Sequence, residues 1–258
     1  MGLKTPLQLE WMRTMSKYSE GLRRIVPKSL RRRAIRYTRY PPVGHVDLGD
    51  LRRVQPISRA WGGDRGLPID RHYIESFLSA RAGDIQGRVL EVGDNAYTVQ
   101  FGGDRVDQSD VVHAEPGNPL ATFVADFADA PQLPSDAFDC IICTQTLHLV
   151  ADLRAAAGTL RRILRPEGVL LATVPGISKL YQVEGDRWRD YWRFTPWSAR
   201  WLFEEAFAPG QVEVTGYGNV LAAVAFLHGL AAEELQPEEL DPVDPQYAML
   251  IGVRAARA

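Results

Sequence analysis

Two groups of side chains in this 258-residue sequence have the type and spacing to do chemistry. The first group binds. An apolar run, Gly87-Arg88-Val89-Leu90-Glu91-Val92, leads into Gly93-Asp94-Asn95, an acid followed by a glycine turn of the kind that brings main chain close to a nucleoside cofactor. Glu91 can organise that loop or reach an ammonium group. Asp110 stands seventeen residues after Gly93, near the roughly 20-residue spacing at which a ribose-binding acid follows such a turn, with Glu115 as second choice. Asp126 and Phe127 offer a carboxylate and an aromatic face at the end of a third apolar run, and Thr144 ends a fourth run.

The second group acts or selects. His148 follows the fourth run, and an imidazole with an ordinary pKa of about 6.5 suits proton removal near neutrality; the plainer alternative is a histidine that opens the next helix and faces the sheet. Asp190 is the other candidate base, with Asp186 beside it. It lies in a stretch, 185–195, where Trp188, Tyr191 and Trp192 alternate with arginines that include Arg193, a pattern suited to a polar, ring-shaped ligand. Arg65 and Arg71 belong to a glycine-rich segment, 61–71, that precedes the first core helix and is positioned to close over a cofactor. No metal is expected, because Asp186 and Asp190 are the only carboxylates that hint at magnesium and no His and Cys set suits zinc. Cys140 and Cys143 form a C-x-x-C, but on a strand residues three apart point to opposite faces, so they read as core.

These residues need a scaffold of alternating strands and helices. Strands are expected at 88–92, 106–111, 121–126, 138–144, 168–174, 212–217 and 248–254. Helices are expected at 70–86 with Asp70 as cap, at 151–164 closed by Pro166 and Gly168, at 196–207 opened by Thr195 and Pro196, and at 219–230. The alternation implies a parallel, doubly wound α/β sheet. The link from Asp110 to Ala121, with Pro116, Gly117 and Pro119, is too short for a crossover helix and reads as a loop.

The order of these pieces resembles the class I S-adenosylmethionine-dependent methyltransferases, type 11 in particular. The resemblance rests on Arg88 to Gly93, on Ser135-Asp136-Ala137-Phe138-Asp139-Cys140-Ile141, and on Leu160-Arg161-Arg162-Ile163-Leu164-Arg165-Pro166-Glu167-Gly168-Val169-Leu170. It implies a Rossmann-like sheet, mostly parallel with an antiparallel last strand, and S-adenosyl-L-methionine as cofactor. It further implies cofactor contacts from Glu91, Gly93, Asp94, Asn95, Asp110, Asp126, Phe127 and Thr144. Family members usually carry three glycines in the first turn, whereas this chain has Asn95 and Tyr97 at the later two positions, so the loop must be built differently. Segment 61–71 and the run Asp190-Tyr191-Trp192-Arg193-Phe194-Thr195 are similar to small methyltransferases of glycan and glycosylated natural product synthesis. That similarity implies a saccharide hydroxyl as acceptor, with Arg65, Arg71, Trp188, Tyr191, Trp192 and Arg193 on the substrate side. The alternatives are a non-sugar metabolite methylated at O, N or C, and a non-catalytic interaction module on the same fold.

Composition limits the rest. With 45% hydrophobic and 24% charged residues the chain can bury a core. The expected organisation is a basic N-terminal extension, helical or partly ordered, over 1–60, and a methyltransferase domain over 61–258 with a helical insertion at 219–247. The net charge of −2 is uneven: residues 1–40 hold eleven Lys or Arg against Glu10 and Glu20, a charge of +9, which leaves −11 on the remainder. A basic arm of this kind fits a solvated helix face or peripheral contact with an anionic membrane, whereas nucleic acid is disfavoured by the acidic body. No run is long enough to span a bilayer, and no leader is evident, so a cytoplasmic location is expected. A homo-oligomer is compatible with the sequence.

Overall fold

The computed structural model describes residue 41, residues 43–182 and residues 189–258. The chain divides into two units, residues 1–54 and residues 55–258. In the first, a 3-10 turn spans Gly49–Leu51, and the Asp47 carboxylate ahead of it accepts from the Gly49 N–H at 2.9 Å. Most of the expected basic extension lies outside the described residues.

The second unit is built on a seven-stranded sheet: β1 (Gly87–Val92), β2 (Val106–His113), β3 (Phe123–Val124), β4 (Phe138–Thr144), β5 (Leu164–Pro175), β6 (Val212–Tyr217) and β7 (Leu250–Ala256), in the order β3-β2-β1-β4-β5-β7-β6. The pairs from β3 through β5 are parallel, and β7 runs antiparallel to both neighbours. This is the doubly wound sheet that the alternation implies, with the reversed last strand that the resemblance implies.

Strand alternation sends successive residues to opposite faces, and the two cores follow it. Leu90, Ile141, Cys143, Leu170 and Val253 face one layer, where they meet Leu160 and Ile163 of α2 (Leu153–Ile163) and Phe203 and Phe207 of α3 (Pro196–Phe207). Val89, Cys140, Ile142 and Leu171 face the other, against Ile74 and Phe77 of α1 (Ile69–Ser79), Phe226 of α4 (Val220–His228) and Leu240 of α5 (Pro237–Leu240). Cys140 and Cys143 are therefore separate, buried free thiols, and burial pushes the Cys143 thiol up to about 12.

Helix boundaries follow their caps. Asp152 accepts from the Ala155 N–H at the start of α2, and Thr195 with Ser198 forms a reciprocal capping box ahead of Pro196 in α3. Asn219 caps α4, and its amide also donates to the Glu239 and Pro242 carbonyls, so the same side chain ties down the insertion between β6 and β7. Gly229 ends α4 at φ 71°, a left-handed conformation that suits glycine.

Some boundaries differ from the sequence pattern. Helix α1 stops at Ser79 because the chain turns at Gly83 and Asp84, where Asp84 is drawn off by a two-pronged bond from Arg254 at 2.8 and 2.9 Å. Asp70 lies within its first turn, and Pro68 occupies the cap. Strand β3 keeps only two paired residues, and the link that precedes it is a loop.

Strand β2 runs two residues beyond its expected end, which leaves Asp110 inside the sheet opposite Leu90. Its carboxylate is 3% exposed and accepts from Arg88 Nε at 2.7 Å and Gln108 Nε2 at 3.0 Å, while the Arg88 guanidinium rests on the Phe138 ring. Removing one partner strands the other charge against apolar surface. Asp110→Ala is expected to lower unfolding free energy by about 2–3 kcal/mol, read from urea denaturation.

Candidate functional site

A cavity of about 490 Å³ opens at the carboxyl ends of β1 to β5, the crevice where the strand order reverses between β1 and β4. Its floor comes from Val92, Gly93, Val112, His113, Asp126, Phe127, Gln145 and Thr146; Asp70, Arg71, Ala60 and Trp61 come from the segment ahead of and within α1, and Lys179 and Tyr181 from the segment after β5.

Gly93 turns the chain at φ 89°, and the direction its side chain would take is open space, so main chain can approach a ligand there. The turn is held by Gly93 N–H donating to Val112 O at 3.0 Å and by Asn118 Nδ2 donating to Gly93 O at 2.6 Å. Glu91 does not reach the cavity. It is 2% exposed, and its carboxylate accepts from the Tyr97 N–H at 3.2 Å and from the Thr98 N–H and hydroxyl, both at 2.7 Å. It therefore organises the loop, the first of its two expected tasks. The Tyr97 hydroxyl in turn accepts from Arg71 Nη1 at 3.1 Å.

The remaining cofactor candidates separate into two sets. Asp126 and Phe127 line the cavity with Gly93. Asp94 instead caps Ala96 N–H at 2.9 Å, and Asn95 points its amide at Ser109 Oγ, 3.3 Å away; neither lines the cavity. Asp110 is also absent from the wall, locked in the Arg88 pair because the strand end lies beyond it. At that strand end the wall is formed by His113 and Ala114, followed by Glu115, whose N–H donates to His113 Nδ1. Thr144 lies one residue below the wall, its carbonyl taken by the Thr146 hydroxyl at 2.9 Å.

On the acting side, His148 lines the cavity, and its buried Nδ1 has no hydrogen-bond partner. Burial pulls its pKa down to about 4, with Arg193 adding to the effect and Asp190 opposing it, so the imidazole is neutral at pH 7. Asp190 is a different case from the expected base. Arg193 grips it with two N–H donors at 2.5 and 2.7 Å and the Tyr181 N–H donates at 2.6 Å; although burial pulls upward, these bonds hold its carboxyl below the usual range. A carboxylate so fully engaged is a weak proton acceptor.

Of the substrate candidates, Arg71 and Arg193 reach the wall. Tyr191 and Trp192 are half exposed and border it: both N–H groups donate to His148 O, and Trp192 Nε1 donates to Val150 O at 2.9 Å. Arg65 is turned away, paired with Glu234. Trp188 and Asp186 lie outside the described residues.

Further wall residues join through long-range contacts. Trp61 stacks on Tyr181 with ring centroids 5.8 Å apart, and Lys179 Nζ lies 3.4 Å from the Trp61 ring centre, so a roof forms from segments more than a hundred residues apart. Gln145 follows β4 at φ 46°, a strained conformation for a non-glycine, held by its N–H donating to Thr173 O at 2.9 Å. Trp61 belongs to the segment expected to close over the cofactor and Gln145 to the end of the fourth strand, whereas Lys179 and Tyr181 carry no local signal.

Burial raises the Glu91 carboxyl to about 7, despite its three hydrogen bonds. A raised carboxyl pKa means the folded state holds a proton that the unfolded state releases, so this group's contribution to stability is present below the unfolded pKa of about 4.3 and falls as pH rises to about 7. Glu91→Gln should flatten that part of the stability profile between pH 5 and 7, as measured by chemical denaturation at each pH.

Residues 80–172 match a family model described as "Methyltransferase domain", type 11. No curated protein matches the sequence. Among solved structures, the YcgJ protein from Bacillus subtilis is 15% identical, with a TM-score of 0.45 over 72% of this chain and 98% of its own. A SAM-dependent methyltransferase from Archaeoglobus fulgidus is 12% identical, with a TM-score of 0.48 over 72% and 94%. The [4+2]-cyclase SpnF is 17% identical, with a TM-score of 0.48 over 80% and 87%. Likeness at these identities concerns the fold alone. The domain match identifies residues 80–172, which run from the end of α1 into β5 and supply most of the cavity floor, as a methyltransferase domain.

Proposed function

We propose that the chain methylates a hydroxyl of a saccharide or glycosylated small molecule. The observation that carries this reading is the cavity wall, where two aromatic rings, Trp61 and Tyr181, stand beside the polar groups of Lys179, Gln145 and His148. Ring faces stack on the apolar side of a sugar, and the polar groups serve its hydroxyls.

S-adenosyl-L-methionine supplies an activated methyl group on a sulfonium. The residues present fit it: Gly93 leaves open space for its amino acid portion, the Asp70 carboxyl and Arg71 guanidinium offer opposite charges for its ammonium and carboxylate, Glu115 is the acid nearest the end of β2 for the ribose, and Asp126 and Phe127 suit adenine. Burial raises the Asp70 carboxyl, with Arg71 opposing, so a nearby cation is what would favour its charged form.

His148 takes the proton. The imidazole lines the cavity, and a depressed pKa does not disqualify it, because a hydroxyl gaining a methyl group becomes strongly acidic as the new bond forms. Asp190, kept ionised by Arg193, favours the imidazolium electrostatically and so acts through His148.

Incubation with methyl-labelled cofactor and candidate acceptors is expected to yield label in a sugar methyl ether; label in an amine or at carbon would overturn the acceptor assignment. His148→Ala is expected to lower kcat by about 10²-fold or more while leaving S-adenosylhomocysteine affinity unchanged, and full activity would rule out the base. In the wild type, kcat/KM should lose its acid side near pH 4, where His148 protonates, and should stay flat through pH 6.5.

A further inference from the structure

Helix α3 buries Ala199, Leu202, Phe203 and Phe207 and turns the opposite face outward, and the large groups on that face are indoles: Trp197 is 80% exposed and Trp201 59%. Their i, i+4 spacing stacks them on one stripe of the helix. Tyr191 and Trp192, just ahead of the helix, are also exposed. Segment 150–154 connects these rings, since Val150 O holds the Trp192 indole and the Arg154 guanidinium lies 4.9 Å from the Trp201 ring centre.

We propose that this aromatic face seats the enzyme on an anionic lipid bilayer. The argument starts from residue type. Every large exposed hydrophobic among described residues 189–208 is Trp or Tyr, the side chains that settle at the boundary between headgroups and hydrocarbon, and none is aliphatic. Charge supports the same occupant. The carboxylates of Glu204 and Glu205 are paired with Arg200 and Arg154, and Arg189 is exposed two residues ahead of Tyr191. Residues 1–40 add +9 to the same chain, and a tethered polycation raises its local concentration near anionic lipid wherever it lies. The face borders the cavity through the bonds of Tyr191 and Trp192 to His148 O, so lipid contact would bring the mouth of the site to the membrane surface. The proposal does not depend on the acceptor being a saccharide.

The test mixes the full chain with vesicles of phosphatidylcholine, with and without phosphatidylglycerol, and sediments them. Binding is expected with phosphatidylglycerol, and brominated lipid should quench part of the tryptophan emission. The double variant Trp197→Ala/Trp201→Ala should bind at least about tenfold more weakly per ring removed, the loss expected if on the order of 60 Å² of apolar area per ring stays in water. Its melting temperature and its affinity for S-adenosylhomocysteine should match the wild type, because both rings lie outside the core and the cavity wall. Three results would overturn the proposal: no sedimentation with either vesicle, equal sedimentation of the double variant, or light scattering that shows a dimer dissolved by the double substitution. The last would assign the face to a second copy of the chain.

Discussion

One buried carboxylate holds the cofactor side of this site in shape. Glu91 sits at the end of β1 with almost no access to water, and three donors from Tyr97 and Thr98 offset part of its cost of burial. Those bonds wind the chain into the turn that becomes a π-helical stretch at Thr98–Gly102, which does the work that further glycines do in the family pattern. They also orient Tyr97, which meets Arg71 from a helix on another part of the wall. Gly93 can therefore be the only glycine in the first turn, because a side chain rather than backbone freedom sets the curve.

The fold was legible in the sequence because its signals are local. Thr195 with Pro196, Asn219 with Gly229, and the apolar runs from Arg88 to Val174 each fix an element through nearby atoms. Boundaries were less so where a distant partner decides them. Asp84 leaves the helical path to meet Arg254, 170 residues away, and nothing near Ala80 announces it.

The site was legible in the same proportion. Gly93, Asp126, Phe127 and His148 follow directly from strand ends, and the structure brings them to one wall. Asp110 shows how this reasoning goes astray: a strand that continues two residues further turns a ribose candidate into half of an ion pair. Asp190 looked like a base because sequence shows a carboxylate without its neighbours; Arg193 and the Tyr181 N–H change its chemistry. Segment 61–71 was expected to close over the cofactor, but the pairing of Trp61 with Lys179 and Tyr181 could not be read, since stacking between segments so far apart has no sequence period.

The seam between β7 and α1 links remote sequence to the cavity. Gly252 faces the Phe77 ring so closely that an added methyl carbon would lie 2.5 Å from it, with both sides part of fully buried core. The helix and strand thus touch through a hydrogen atom's width. Any larger residue at 252 would have to lever α1 off the sheet, and the near end of that lever carries Asp70 and Arg71. A residue with no side chain thereby fixes the spacing of a helix whose first turn lines the cavity.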